Sequence, residues 1–124
     1  MKKTAAAIIA LALAATAAHA GGDAAKGAKV FKKCKACHKV DKKKNGVGPY
    51  LVGVIGRPIA TADKYKYSPA MKAFGAAGGV WDEAALTTYL ADPKGTVPKT
   101  KMTFKGLKKD DDIENVIAYL ATFP

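Results

Sequence analysis

The chain has 124 residues, of which 21 are lysine or arginine and 10 are aspartate or glutamate, so its formal net charge is +11. This length corresponds to one small domain, and an apolar content of 49% with 25% charged residues excludes a disordered chain. Its 2 cysteines lie three positions apart, which excludes a disulfide scaffold spanning the fold. The excess of basic over acidic residues indicates an acidic partner but does not decide between nucleic acid, an anionic membrane and an acidic protein.

The first 20 residues have the pattern of an export signal. Lys2 and Lys3 form a positive start, residues 5–15 are an unbroken apolar run, and Ala18-His19-Ala20 supplies the small residues that a signal peptidase reads. A retained membrane anchor needs roughly 20 apolar residues, so this run is too short. We therefore expect cleavage after Ala20, a periplasmic location in a bacterium, and a mature domain over residues 21–124 with no transmembrane segment. This domain loses two lysines and keeps a net charge of +9.

The first predicted helix of the mature chain starts behind Asp23, which is a suitable N-cap. Small and apolar residues behind it recur with helical spacing, and the pattern runs on into Cys34. Gly27 lies inside this helix, where glycine is unfavourable. We interpret Gly27 as a point where another element crosses closely.

Three further helices are separated by loops rich in glycine and proline. The second opens at Ser68-Pro69 and runs through Phe74, and the third begins at Asp82-Glu83. A long irregular stretch over residues 93–106 precedes the last helix, whose amino end carries the negative charges of residues 110–112. Strand signals are weak, so the sequence predicts an all-α domain. Loops of this length in a compact domain usually need an object to wrap around.

The segment Cys34-Lys35-Ala36-Cys37-His38 is the attachment pattern of c-type haem. Two thiols at this spacing can each add to one vinyl group of a porphyrin, and His38 can then present a ring nitrogen to the iron. A redox dithiol would need a thioredoxin-like alternation of strands and helices, which this sequence lacks. A structural zinc site needs four ligands, and the mature chain has only three cysteine and histidine residues. Together with the export signal, the pattern predicts one haem c bound through Cys34 and Cys37 and ligated by His38.

The sixth ligand of this iron cannot be a second histidine, because the mature chain has none. Met71 has the spacing of a core-facing residue, and methionine commonly fills gaps in cores. Met102 lies in an irregular polar segment, where an isolated apolar side chain has little reason to be. We therefore expect His38 and Met102 as the axial pair. A thioether ligand raises the reduction potential of haem iron, and two protein ligands leave no vacant site for oxygen, so we expect one-electron transfer and not an enzyme.

A series of short motifs follows one order along residues 22–124. They are Gly27-x3-Phe31 before Cys34–His38, Gly48-Pro49-x-Leu51, Gly53-x2-Gly56-Arg57, Tyr67, Trp81, Tyr89-Leu90, Pro93, Thr100-Lys101-Met102-x-Phe104 and Ala118-Tyr119-Leu120. In this order they resemble the class I cytochromes c, close to bacterial cytochrome c2 and mitochondrial cytochrome c. The resemblance implies short helices and glycine- and proline-rich loops wrapped around one covalent haem. It also implies that Gly27 and Phe31 meet Tyr119 where the first and last helices cross.

The resemblance further implies roles for residues around the haem. Pro49 would offer its carbonyl to the far nitrogen of His38, and Tyr89 would lie near the Met102 sulfur. Four residues would approach the haem propionates: Arg57, Tyr67, Trp81 and Thr100. Met71 stands where mitochondrial proteins carry an asparagine near the inner propionate.

Eight lysines flank the two ligand segments in the sequence. They are Lys32, Lys33, Lys35, Lys39, Lys94, Lys99, Lys101 and Lys105. Because both segments must converge on one haem, these lysines can ring its exposed edge and steer an acidic partner. Lysines 42–44 are interpreted as a solvated face. By resemblance, a soluble monomer would carry electrons from a quinol–cytochrome c reductase to a terminal oxidase or a photosynthetic reaction centre, with no role for nucleic acid.

Two other functions stay open from the residues alone. A haem enzyme or gas-binding sensor would keep the sixth position open and would lack methionine ligation. A cationic exported protein acting on membranes would carry no haem at all.

Overall fold

The computed structural model describes residues 21–124, so the predicted export signal lies outside the described residues. Five helices follow in the order α1 (Ala24–Phe31), α2 (Pro69–Ala76), α3 (Glu83–Ala91), α4 (Pro93–Thr96) and α5 (Asp110–Leu120). Within residues 21–124, β-sheet hydrogen bonding is limited to one isolated antiparallel bridge between Pro58 and Val80. The prediction of an all-α domain is therefore confirmed. Among the described helices, none has the length and apolar character needed to cross a membrane.

Side-chain caps fix the amino ends of the first four helices. Each cap accepts a hydrogen bond from the backbone N–H three residues further on, and the caps are Asp23, Ser68, Asp82 and Asp92. Helix α5 has no such cap and begins instead with three aspartates, whose charge suits the positive end of the helix dipole. The predicted starts of α1, α2, α3 and α5 are thus confirmed.

Helix α4 corrects the prediction of an irregular chain over residues 93–106. Asp92 accepts a hydrogen bond of 3.0 Å from the backbone N–H of Gly95, and Pro93 occupies the first helical position. Proline is favourable there because its φ angle is already helical and its missing N–H would have no partner. The cap and the proline together therefore hold one turn of helix before the irregular chain begins.

Helices α1 and α5 cross at Gly27, as the sequence predicts. A Cβ atom at position 27 would lie 2.7 Å from the Cβ of Tyr119 and would overlap the backbone carbonyl oxygen of Asn115. The rings of Phe31 and Tyr119 pack 5.4 Å apart between centroids. The backbone N–H of Asp23 adds a hydrogen bond of 2.8 Å to the Asn115 side chain. Glycine is therefore required by the close approach of the two backbones.

The hydrophobic core joins α1, α3 and α5. Phe31, Leu86 and Val116 are each at most 5% exposed, and Val97 behind α4 is 1% exposed. The backbone N–H of Leu107 donates to the carbonyl of Leu90 at 2.7 Å, which ties the chain after α4 to helix α3. The long loops before α2 and after α4 are thus anchored on the core at their ends.

Candidate cofactor site

A cavity of about 600 Å³ lies between the loop after α1 and the loop after α4. Both cysteines, His38 and Met102 line it, although they come from distant parts of the chain. The other residues expected at the cofactor line it as well: Pro49, Arg57, Tyr67, Trp81, Tyr89 and Thr100. A volume of this size lies in the range that holds a cofactor-sized molecule. The fold therefore brings every candidate site residue to one cavity.

The two thiols are presented by the turns that follow α1. The helix ends at Phe31, and the backbone N–H of His38 then donates to the carbonyl of Cys34 at 3.0 Å. Both thiols are free, with Cys34 half-buried and Cys37 exposed. Burial raises the pKa of the Cys34 thiol, while the charge of Lys33 acts in the opposite direction. One turn of chain therefore carries two free thiols and an imidazole to the same wall.

The His38 imidazole is oriented by the backbone of the next loop. Its Nδ1 lies 2.8 Å from the carbonyl oxygen of Pro49. A carbonyl only accepts hydrogen bonds, so the ring hydrogen is on Nδ1 and Nε2 keeps its lone pair. Burial lowers the pKa of His38, although the hydrogen bond to Pro49 acts in the opposite direction. The ring is therefore in the neutral form that binds metals.

Gly48 lies against the face of the same ring. A Cβ atom at position 48 would be 2.7 Å from the Nδ1 of His38. Since real side chains essentially never come so close, any other residue would displace the imidazole or the loop. The pair Gly48-Pro49 thus contributes both the space and the hydrogen-bond acceptor that hold His38.

The thioether of Met102 lies on the wall formed by the loop after α4. The Tyr89 hydroxyl donates to the Met102 sulfur at 3.9 Å, and the backbone N–H of Met102 donates to the Thr100 hydroxyl at 3.3 Å. Burial raises the pKa of Tyr89, while a hydrogen bond with Thr100 acts in the opposite direction. Met71 also lines the cavity and packs against the core, so the expectation that it faces the core is met.

Arg57 places a half-buried positive charge at the cavity. Its Nη1 donates to the carbonyl of Tyr50 at 3.0 Å, and the guanidinium carbon lies 5.2 Å from the centre of the Tyr50 ring. The Nε of Arg57 is buried without a hydrogen-bond partner within the described part of the chain. Burial lowers the pKa of this guanidinium, but an arginine remains charged in proteins. A buried N–H without a partner calls for a hydrogen-bond acceptor, and a carboxylate of a bound cofactor would supply one that also suits the positive charge.

Tyr67 lines the same cavity beside Arg57. Its hydroxyl oxygen accepts a hydrogen bond of 2.8 Å from the backbone N–H of Ala62, which leaves the hydroxyl hydrogen to be donated. Burial raises the pKa of Tyr67, so the hydroxyl is protonated at neutral pH. Two thiols, a neutral imidazole, a thioether, a half-buried guanidinium and a tyrosine hydroxyl are a donor set that fits haem c.

Comparison with known proteins identifies the family. The sequence model described as "Cytochrome c" matches residues 24–124. The chain is 49% identical over 121 residues to "Cytochrome c-554" of Methylosinus trichosporium, covering 97% of this chain and 89% of that protein. It is 53% identical over 93 residues to "Cytochrome c2 iso-2" of Magnetospirillum molischianum, covering 74% and 92% respectively. The solved structure of cytochrome c2 from Rhodospirillum centenum matches with a TM-score of 0.77 and 42% identity, covering 82% of this chain and 98% of that chain.

The helical architecture is that of the class I cytochromes c2, which confirms the predicted fold class. The chain belongs to the cytochrome c family. Its cofactor is one covalently attached haem c. Members of this family are electron carriers and not enzymes, so the chain is an electron-transfer cytochrome.

The eight lysines predicted as a docking ring are all exposed. Two of them, Lys33 and Lys101, also line the cavity. The ammonium group of Lys101 is engaged within the molecule, since it donates to the carbonyl of Lys66 at 2.6 Å. All eight lysines are therefore exposed, but Lys101 differs from a lysine whose ammonium group contacts only solvent.

Two residues that the sequence analysis does not single out also shape the site. Tyr65 lines the cavity, and its hydroxyl donates to the carbonyl of Val47 at 2.7 Å. Asn45 donates to the carbonyl of Asp63 at 2.9 Å and accepts from the backbone N–H of Tyr50 at 3.1 Å. No periodicity or spacing marks either residue, because their contacts join loops that are distant in the sequence.

Proposed function

We propose that this cytochrome is a periplasmic one-electron carrier whose haem c is bound by Cys34 and Cys37 through thioether bonds. His38 and Met102 would ligate its iron. The observation that carries this proposal is the single cavity of about 600 Å³ lined by all four of these side chains. When bound, the haem iron supplies reversible exchange of one electron between its ferric and ferrous states.

The residues around the axial pair hold it in place. Pro49 keeps the hydrogen of His38 on Nδ1, which leaves Nε2 as the coordinating nitrogen. The Tyr89 hydroxyl restrains the Met102 sulfur from the side of helix α3. A soft thioether ligand stabilises the reduced state and raises the reduction potential. Occupation of both axial positions by protein leaves no open site for oxygen, which suits a carrier.

The polar end of the cavity would receive the two haem carboxylates. Arg57 offers its Nε, which has no partner within residues 21–124, and Tyr67 offers its hydroxyl hydrogen. Trp81 and Thr100 line the same cavity and each carries a side-chain donor. The half-buried charge of Arg57 would compensate a carboxylate that is partly removed from water.

The export pattern of residues 1–20 supports the periplasm as the compartment. We further propose a quinol–cytochrome c reductase as the electron donor. A terminal oxidase or a photosynthetic reaction centre is then the acceptor. The exposed lysines beside the two ligand segments support an acidic docking surface on these partners.

The axial assignment is tested by replacing the two methionines of the cavity in turn. The ferric holoprotein should show the absorption band of a methionine–iron bond, and Met102→Ala should remove it because the soft ligand is lost. The reduction potential should then fall by on the order of 0.1 V. The matched variant Met71→Leu should keep the band, because Met71 is not the proposed ligand and leucine fills a similar volume in the core.

Three measurements decide the outcome: the visible spectrum, an anaerobic redox titration and carbon monoxide binding at neutral pH. Rapid carbon monoxide binding by the unmodified protein would contradict the carrier and favour a haem enzyme or sensor. Loss of the band in Met71→Leu, with Met102→Ala unchanged, would transfer the ligand role to Met71.

A further inference from the structure

We propose that Asn45-Gly46 is a site of spontaneous deamidation, which the native fold keeps slow and whose product loosens the loop over residues 62–67. In this reaction the backbone nitrogen of Gly46 loses its proton and attacks the side-chain carbonyl carbon of Asn45. A new C–N bond closes a succinimide ring, and the side-chain nitrogen takes up a proton and leaves as ammonia. Water then opens the ring, so that the amide is exchanged for the carboxylate of aspartate or isoaspartate.

The chain has 2 asparagines and no glutamine, and the two asparagines differ in the residue that follows them. Asn45 precedes Gly46, which has no side chain to hinder the attack, whereas Asn115 precedes the β-branched Val116. Three exposed lysines, residues 42–44, directly precede Asn45. Their positive charge favours both the anionic nitrogen that attacks and the carboxylate that results. The sequence therefore makes Asn45 the reactive asparagine of the two.

The native contacts engage the groups that must react. The Nδ2 of Asn45 donates to the carbonyl of Asp63 at 2.9 Å, and its Oδ1 accepts from the backbone N–H of Tyr50 at 3.1 Å. The backbone N–H of Gly46 donates to the carbonyl of Gly48 at 3.0 Å. Ring closure requires the half-buried Asn45 side chain to turn toward the Gly46 nitrogen, and that nitrogen must lose its hydrogen. The reaction therefore proceeds from molecules in which this loop has opened locally.

Deamidation changes which hydrogen bonds residue 45 can make. An amide both donates and accepts hydrogen bonds, whereas a carboxylate only accepts them. The product therefore keeps an acceptor for the Tyr50 N–H but loses the donor to Asp63, and a negative charge comes to lie beside the Asp63 carbonyl oxygen. Since the lost bond joins residues 18 positions apart in the sequence, its removal loosens the loop over residues 62–67 on the side of residue 45.

Tyr50 allows the restraint on Asn45 to be weakened without a change in the reacting dipeptide. Its hydroxyl accepts a hydrogen bond of 3.2 Å from the backbone N–H of Asp63, the residue whose carbonyl holds Asn45. Tyr50→Phe removes this acceptor and leaves the ring in place. Tyr119→Phe makes the same change in α5 and is the matched control. Asn115 is an internal control for general loss of amides, because both asparagines age in the same sample.

The first experiment follows conversion of Asn45 by peptide mass spectrometry while the holoprotein is kept in mildly alkaline buffer. The protein unfolded in guanidinium should react faster than the folded protein by on the order of 100-fold, because three hydrogen bonds no longer restrain the site. Folded Tyr50→Phe should react about fivefold faster than the folded unmodified protein, and Tyr119→Phe within about twofold of it. Equal rates in the folded and unfolded protein, equal rates in the two variants, or no conversion of Asn45 even after unfolding would each overturn the proposal.

The second experiment measures the effect of the product on the loop. Amide hydrogen exchange over residues 62–67 should be about fivefold faster in Asn45→Asp than in the unmodified holoprotein, because one hydrogen bond is lost. Asn115→Asp is the matched control and should stay within about twofold, since Asn115 accepts from the Asp23 N–H through an oxygen that a carboxylate keeps. If Asn45→Asp fails to fold, aged unmodified holoprotein gives the same comparison, because its carboxylate forms after folding. Unchanged exchange over residues 62–67 in the deamidated protein would overturn the loosening of this loop.

Discussion

The imidazole of His38 is restrained on two sides by a single loop. Pro49 fixes the position of its ring hydrogen, and Gly48 lets the backbone approach the ring face. The hydrogen bond to Pro49 is the contact that the family resemblance implies. The requirement for a glycine at position 48 is different, because it depends on the distance between two loops and has no local signal in the sequence.

Arg57 places a half-buried charge and a buried N–H at the cavity. Its Nη1 is satisfied by the carbonyl of Tyr50, whereas its Nε is buried without a partner in the described chain. A buried N–H without a partner is costly unless a ligand accepts its hydrogen bond. The arrangement therefore favours a negatively charged cofactor group beside Arg57.

Replacing this cation tests the proposed role of Arg57. In Arg57→Gln the charge is lost, so the ferric state, which has one more positive charge, becomes relatively more stable. A unit charge acting over about 10 Å at an effective dielectric constant of ~20 gives a fall in reduction potential of roughly 70 mV. The matched variant Arg57→Lys keeps the charge and should change the potential much less. Redox titration of both variants is the measurement, and identical potentials in Arg57→Gln and the unmodified protein would contradict a carboxylate at this position.

At the scale of the helices, the crossing of α1 and α5 determines where the turn that carries the two cysteines begins. Helix α1 ends at Phe31, whose ring packs on Tyr119 of α5, and the chain then turns into Cys34. Gly27 allows this crossing, because a side chain there would meet the backbone of α5. The position of the cysteines therefore depends on a contact between the two ends of the domain.

Gly27→Ala should destabilise the protein despite the better helix propensity of alanine. The added Cβ would meet the backbone carbonyl of Asn115 and the Cβ of Tyr119, and overpacking of this kind costs about 1–3 kcal/mol. For a domain of ~100 residues, each kcal/mol lowers Tm by roughly 4–8 °C. Thermal unfolding of the holoprotein is the measurement, with Lys29→Ala on the exposed part of α1 as the control. A Tm equal to or above that of the unmodified protein would mean that the helices can separate without cost.

The surface of the whole molecule combines exposed positive charge with an exposed apolar residue at the cavity. The lysines that flank the two proposed ligand segments are exposed, and Val47, which lines the cavity, is 75% exposed. An exposed apolar residue amid positive charge suits a small, short-lived interface with an acidic partner. The acidic residues 110–112 lie in the first turn of α5, which begins eight residues after Met102.

The docking surface is tested by charge reversal at two lysines of the predicted ring. Lys35→Glu and Lys105→Glu should each slow electron exchange with host membranes by roughly three- to tenfold at low ionic strength, because electrostatic steering is weakened. The difference should shrink at high salt, where these charges are screened. Lys43→Glu, in the segment interpreted as a solvated face, is the control. Stopped-flow rates against salt concentration measure the effect, and equal slowing by all three variants would indicate net charge alone.

Features that depend on local spacing can be predicted from the chain alone. Asp23, Ser68 and Asp82 mark helix starts, because a cap needs only the backbone N–H three residues away. The attachment pattern ending in His38 predicts the cofactor for the same reason, since its groups lie within one turn. The turn after Asp92 is the exception, because the sequence predicts an irregular chain where Asp92 caps a short helix that begins at Pro93.

Contacts between distant segments depend on the fold and not on local spacing. The fold brings Met102 and His38 to one cavity, leaves the Nε of Arg57 buried without a partner within residues 21–124, and engages Lys101 with the loop of Tyr65. None of these contacts has a periodic signal, because each joins loops whose separation in space is set by packing on α1, α3 and α5. Local chemistry is therefore readable from the chain, whereas the surroundings of each group follow from the fold.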